Sequence, residues 1–202
     1  MTGREPDLRM NDLRFKEIEH KFVVEADFDL DAFRQAVAAL RPLRHVTLRV
    51  CDRYFLTEAG RVRGFVLRHR FDRELHELTL KTVVADAEVR DEVNLALRPG
   101  DQVAQVDAFV EAQGLVWKGA LWKDLTVWHF DDCEVVHYVA TAGDRTVTCV
   151  EFEAIRKDSL AHALAVLTRL EVATGFDAAT RTHASLPALL WPEALADLGA
   201  RP

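Results

Sequence analysis

Residues 14–24 read Arg-Phe-Lys-Glu-Ile-Glu-His-Lys-Phe-Val-Val, and at their centre Glu17, Glu19 and Lys21 alternate with Ile18, His20 and Phe22. Residues two apart share a face of a β-strand, so this strand has one charged face and one mainly apolar face. The same arithmetic recurs further along the chain. Arg68 and Arg70 oppose Leu67 and His69, and Lys81, with Glu77 and Thr79, opposes Leu78 and Leu80. Arg90, Glu92 and Asn94 oppose Val89, Val93 and Leu95, while Glu151 and Glu153 oppose Val150, Phe152 and Ala154.

A single strand of this kind is the solvated side of an amphipathic sheet. Five strands with acids and bases side by side, and almost no uncharged polar residue between them, point instead to charged faces that converge on an interior while helices cover the apolar faces. Burying such charge is costly unless it is paired or neutralised. Glu17, Glu19, Glu92, Glu151 and Glu153 are hard oxygen ligands suited to Mg²⁺ or Mn²⁺. Lys21, Arg68, Arg70, Lys81, Arg90 and Lys123 are donors suited to phosphate oxygens. A polyphosphate with its metal satisfies both sets.

Between these strands the pattern predicts helices over Asp29 to Leu40, Asp101 to Ala112, Ser159 to Gly175 and His183 to Leu190. The eight strands, those five among them, are expected at Arg14 to Val24, Val46 to Leu56, Val62 to Arg70, Leu75 to Val83, Glu88 to Leu97, Leu121 to Phe130, Cys133 to Ala140 and Arg145 to Ile155. Eight strands with few intervening helices make an α+β chain whose antiparallel sheet closes into a barrel, since closure removes exposed edges. The expected organisation is a flexible extension over 1–13, one domain over 14–192 and a tail over 193–202.

A chain of 202 residues that is 49% hydrophobic can bury one sizeable core. Its formal net charge of -7 excludes a general nucleic-acid binder and confines any basic site to a local feature. Cys51, Cys133 and Cys149 form neither a disulfide framework nor a CxxC site, and no apolar run approaches a membrane span, so a cytoplasmic, non-membrane protein is expected. His20, His69, His76 and His137 lie at no recognisable metal spacing, and Ser159 reads as a helix cap. Trp117, Trp122, Trp128 and Trp191 read as packing residues.

The run Glu17-Ile18-Glu19-His20-Lys21 resembles the ExExK signature of the CYTH superfamily, the triphosphate tunnel metalloenzymes. The later elements resemble that family in order: Arg68 with Arg70, Lys81, Arg90 with Glu92, and Glu151 with Glu153. The resemblance covers about Lys16 to Leu190. It implies an eight-stranded antiparallel barrel whose bore admits a small-molecule triphosphate, with Glu17, Glu19, Glu151 and Glu153 holding Mg²⁺ or Mn²⁺. Lys21, Arg68, Arg70, Lys81, Arg90 and Lys123 would then grip phosphate, and Glu92 with Lys81 would serve the chemistry.

Triphosphate hydrolysis is the activity so implied, with inorganic triphosphate favoured over thiamine triphosphate or a nucleotide. A class IV adenylate cyclase and a non-catalytic polyphosphate binder are the alternatives, and family habit suggests a homodimer. The chain departs from the pattern where Lys123 is followed two residues on by Leu125 rather than a second base, with Lys118 and His129 as candidate substitutes. Asn94 stands where some members have a third acid, and Glu134 is the candidate for the acid upstream of Glu151.

Overall fold

A computed structural model describes residues 12–72, 75–83, 88–196 and 198. The first eleven residues of the expected extension, and residues 197 and 199–202 of the expected tail, lie outside that set. The strands are β1 (Lys16–Val23), β2 (Arg44–Thr57), β3 (Phe65–Phe71), β4 (His76–Thr82), β5 (Val89–Ala96), β6 (Leu115–His129), β7 (Cys133–Ala142) and β8 (Arg145–Ala154). The helices are α1 (Leu30–Ala39), α2 (Glu58–Arg63), α3 (Val103–Ala112), α4 (Leu160–Ala173), α5 (Leu186–Leu190) and α6 (Pro192–Leu195). The eight strands close in the order β1-β5-β4-β3-β2-β6-β7-β8, and every neighbouring pair is antiparallel.

The helices cover the apolar faces. Ile18, Phe22, Val135, Val150 and Phe152 from the outer faces of β1, β7 and β8 pack with Phe33 and Val37 of α1 and with Ala163, Leu167 and Leu170 of α4. On the other side, Val106 and Val110 of α3 pack on Phe55 and Leu78. Burying each large side chain is worth about 1.5–3 kcal/mol, so these contacts fix which strand faces turn outward. The charged faces are thereby turned into the bore.

At one end of the bore Tyr54, Leu56 and Val66 meet Leu186, Leu190 and Leu195, so the C-terminal helices close that end with an apolar cluster. Trp191 packs edge-on against Trp117 with ring centroids 5.0 Å apart, and Thr182 donates its backbone N–H to the Lys21 carbonyl at 2.8 Å.

Several boundaries differ from expectation. The strand expected from Val62 begins at Phe65, because residues 58–63 form α2: the Thr57 hydroxyl accepts from Gly60 N–H, and Gly64, at φ 73°, ends the helix. The strand expected from Val46 starts at Arg44, and that expected from Leu121 starts at Leu115, because β2 and β6 pair as one long ladder from Arg44↔His129 to Thr57↔Leu115. The helix expected from Asp101 begins at Val103, so Asp101 lies outside α3 and is not its cap. That position is Gln102, while Asp101 accepts from Val103 N–H. The last predicted helix begins at Leu186 rather than His183, since Ser185 is its cap and accepts from Ala188 N–H. Ser159 caps α4 as expected.

Candidate active site

Because β1, β3, β4, β5 and β8 alternate as predicted, their charged faces surround one cavity of about 140 Å³. Of the eleven predicted site residues, Glu17, Glu19, Lys21, Arg68, Arg70, Lys81, Arg90, Lys123, Glu151 and Glu153 line it. Glu92 does not line the cavity and is joined to it through Lys81, whose Nζ is 2.6 Å from both Glu92 Oε2 and Glu17 Oε1. Glu92 also accepts from Asn94 at 2.8 Å.

The charges are segregated around the bore. On β8, β1 and β5 stand Glu151, Glu153, Glu17, Glu19 and Glu92, threaded by three cations. Lys21 lies 2.9 Å from Glu19 and 3.1 Å from Glu151, Arg90 lies 3.1 Å from Glu19, and Lys81 bridges Glu17 and Glu92. On β2, β3 and β6 stand Arg68, Arg70 and Lys123 around Asp52. Asp52 is wholly buried, accepts from Arg70 Nε and Nη2 at 2.6 Å each and lies 3.7 Å from Lys123. Arg68 donates to Glu77 at 2.6 Å and to the Thr79 hydroxyl at 3.1 Å, while its buried Nε has no hydrogen-bond partner among the described residues.

The ionisation of these groups follows from that layout. Burial pushes the Glu17 carboxyl up, but Lys81, Lys21 and Arg90 outweigh it and hold the group well below the ordinary range. Burial likewise opposes the charge on Lys21, yet Glu19 and Glu151 keep its ammonium above its usual value. Burial draws Lys123 down in spite of Asp52. Glu19 and Glu153 are the exceptions among the acids: burial, then Glu17, push the Glu19 carboxyl up in spite of Lys21. Burial, then Glu17 and Glu92, push the Glu153 carboxyl up to about 8, and among the described residues no hydrogen bond or ion pair reaches it. Its cross-strand neighbours are Glu19 and Glu134, both acids.

That imbalance bears on whether a divalent ion fits. The donor set on this wall is all carboxylate oxygen, which suits Mg²⁺ or Mn²⁺ rather than a soft metal. Glu153 makes no ion pair among the described residues, and burial with the acids Glu17 and Glu92 outweighs the charge of Lys81 on it. Among the described residues no three His, Cys, Asp or Glu side chains form a ready-made metal cage, because Glu17, Glu19 and Glu151 are turned onto lysines and Arg90. A metal would therefore enter by exchanging with those ammonium groups, and a phosphate would receive them.

The sequence missed Asp52, although Asp52, Tyr54 and Leu56 alternate on the inner face of β2 with Arg53 and Phe55 on the outer. It also missed Tyr138, which donates to Glu151 at 2.7 Å, and the support behind the ExExK strand. There His20 Nδ1 lies 2.7 Å from Glu171, and Arg181 grips Glu171 at 2.8 and 2.5 Å and Glu88 at 2.9 Å. Glu134 lines the cavity and lies 2.7 Å from His129 Nδ1. Leu125 also lines it, so at that position the wall is apolar. None of the four tryptophans does; Trp122 is exposed beneath Arg49, while Trp117, Trp128 and Trp191 pack in apolar clusters. Cys133 and Cys149 are buried and unpaired, as packing residues are.

A profile of the CYTH domain matches residues 16–177. The chain belongs to the CYTH family. This is the triphosphate tunnel metalloenzyme superfamily, whose members are mostly triphosphatases, bind triphosphate ligands and typically use divalent cations. A search among curated proteins finds no match. Among solved structures, the PH1012 protein from Pyrococcus horikoshii OT3 superposes with a TM-score of 0.65 at 15% identity, covering 86% of this chain and 99% of that one. A conserved hypothetical protein from Pyrococcus furiosus gives 0.62 at 18% identity, over 86% and 99%. A protein provisionally assigned as an adenylate cyclase, from Vibrio parahaemolyticus, gives 0.60 at 17% identity, over 86% and 96%. At these identities the likeness is one of fold. No helix among the described residues of this CYTH protein is long and apolar enough to cross a membrane.

Proposed function

We propose that this CYTH protein hydrolyses a triphosphate with the help of Mg²⁺ or Mn²⁺. The observation that carries the reading is the division of the bore into a carboxylate wall, where among the described residues no ion pair reaches Glu153, and a cationic wall, where the buried Arg68 Nε has no partner among them. A metal–triphosphate complex presents the complementary charges to both. The small cavity, with no tryptophan in its lining, favours inorganic triphosphate over a nucleotide.

In this reading Glu17, Glu19, Glu151 and Glu153 hold the ion, which when bound neutralises phosphate charge and makes water a better nucleophile. Lys21, Arg68, Arg70, Lys81, Arg90 and Lys123 hold the phosphate oxygens and stabilise the charge that builds on the leaving diphosphate. Glu92, which accepts from Asn94 and lies outside the cavity lining, acts through Lys81, whose ammonium it holds in place beside the phosphate. The apolar wall at Leu125 favours a second reading, polyphosphate binding without turnover.

The test is release of orthophosphate and diphosphate from inorganic triphosphate with Mg²⁺ or Mn²⁺, run beside ATP with cyclic AMP assayed. Orthophosphate release that disappears in folded Glu17→Gln protein supports the hydrolase. Tight binding with no release under either metal supports the binder, and cyclic AMP with diphosphate from ATP supports a cyclase.

A further inference from the structure

The hairpin of β3 and β4 brings together two histidines that are seven residues apart in sequence. His69 Nε2 and His76 Nε2 lie 3.1 Å apart on the outer face of the sheet, with His69 buried and His76 half-buried. The remaining ring nitrogens are also engaged. His76 Nδ1 lies 2.8 Å from the Arg98 carbonyl, which can only accept, so this nitrogen carries a proton. His69 Nδ1 faces Arg53 Nη1 at 3.4 Å, and a guanidinium can only donate, so this nitrogen carries a lone pair. The tautomers follow: His69 keeps its proton on Nε2 and donates it to His76 Nε2.

This neutral pair has no vacant lone pair. A third proton must land on His76 Nε2, where it meets the His69 N–H, or on His69 Nδ1, where it meets the Arg53 N–H. Either way one contact breaks. The groups that face the pair are Arg53 from β2, Asp107 of α3, which holds Arg53, and Asp101 just before α3. Burial, then Arg53 and His76, hold His69 below the usual imidazole range, with Asp107 and Asp101 opposing.

His69 sits between Arg68 and Arg70 in sequence, and those two side chains point to the opposite face, into the bore. We propose that the His69–His76 pair is a proton-released clamp that positions Arg68 and Arg70 for phosphate. Above the imidazole range the clamp is closed and β3 is held to β4 and to the Arg98 carbonyl. On acidification a third proton competes for the pair, one contact breaks and the backing of β3 is released. The proposal rests on the reading of the bore as a triphosphate site.

Two measurements test it on the full chain. Imidazole ¹⁵N shifts at pH 7.5 should report protonated Nε2 on His69 and protonated Nδ1 on His76. Inorganic triphosphate binding, followed by calorimetry at pH 7.5 and 5.5, should weaken about tenfold more in the wild type than in His76→Gln, which offers an acceptor that does not titrate. His76→Phe should bind less tightly already at pH 7.5. The opposite tautomers, or the same pH dependence in wild type and His76→Gln, overturn the clamp. Failure of every variant to bind triphosphate overturns the functional reading, and the tautomers then decide the clamp separately.

Discussion

Asp52 and Arg70 form a closed fork inside the barrel. Both Asp52 oxygens accept from the guanidinium at 2.6 Å, and the carboxylate is entirely out of solvent. Lys123, 3.7 Å away, shares the same acid, so one carboxylate orients two of the phosphate-gripping candidates. Replacing one partner of a buried pair leaves a charge uncompensated, which costs about 3–5 kcal/mol. Asp52→Ala should therefore lose stability of that order in urea denaturation, whereas the same change at exposed Asp124 should move it by less than about 0.5 kcal/mol.

The same acid sets an expected pH response. Burial raises Asp52, but Arg70, Lys123 and Arg68 outweigh it and hold its carboxyl well below the usual range. An acid depressed on folding contributes stability that is fully present above its unfolded value, about 3.9, and is lost as pH falls through the folded value. Urea unfolding at pH 7 and pH 3 should record the onset of this loss in the wild type. Asp52→Asn should be less stable at pH 7 yet lose less on acidification, and an unchanged pH slope would count against the pairing.

The barrel was legible because its strands carry charges at a period of two, and the outer apolar faces of β1, β7 and β8 recur at the same period beside helices with clear stripes. The inner face of β2 was not legible. Asp52 is a lone acid there between Val50 and Tyr54, with Arg53 beside it, and only the ladder to Arg70 reveals which way it points. Helix α2 was missed because Val62 and Val66 look like one strand, while the Thr57 cap and the left-handed Gly64 act over single residues. The His69–His76 contact was equally hidden, since it depends on hairpin register and not on spacing.

Gly64 offers a direct check on that turn. Its φ of 73° lies where a side chain is disfavoured, although open space surrounds the position where a Cβ would sit. The cost of Gly64→Ala is then backbone strain alone, on the order of 1 kcal/mol. A drop in melting temperature of about 2–4 °C is expected for a domain of this size, with triphosphate hydrolysis at 25 °C retained.

Arg68 should matter more for ligand than for fold. Its Nη2 is spent on Glu77 and Thr79, while Nε is buried with no partner among the described residues, and buried donors are rarely left so unless something else receives them. Arg68→Lys preserves the charge and removes the planar fork. Triphosphate KM should rise roughly tenfold or more, equivalent to about 1.4 kcal/mol, with a smaller effect on urea stability. An unchanged KM would remove Arg68 from the phosphate grip.

Glu153 allows the metal assignment to be tested without turnover. Burial and the neighbouring acids push its carboxyl up to about 8, so the metal-free folded state favours the protonated form. For an acid raised on folding, stability falls as pH rises from the unfolded value, about 4.3, through the folded one. Glu153→Gln removes that penalty and should raise the melting temperature of metal-free protein at pH 8 by a few degrees. Mn²⁺ should reverse the ranking, because an ion that binds only the folded state stabilises it by mass action. The wild type should gain stability on adding Mn²⁺ and Glu153→Gln should gain little. Equal Mn²⁺ stabilisation of both proteins would place the ion away from Glu153.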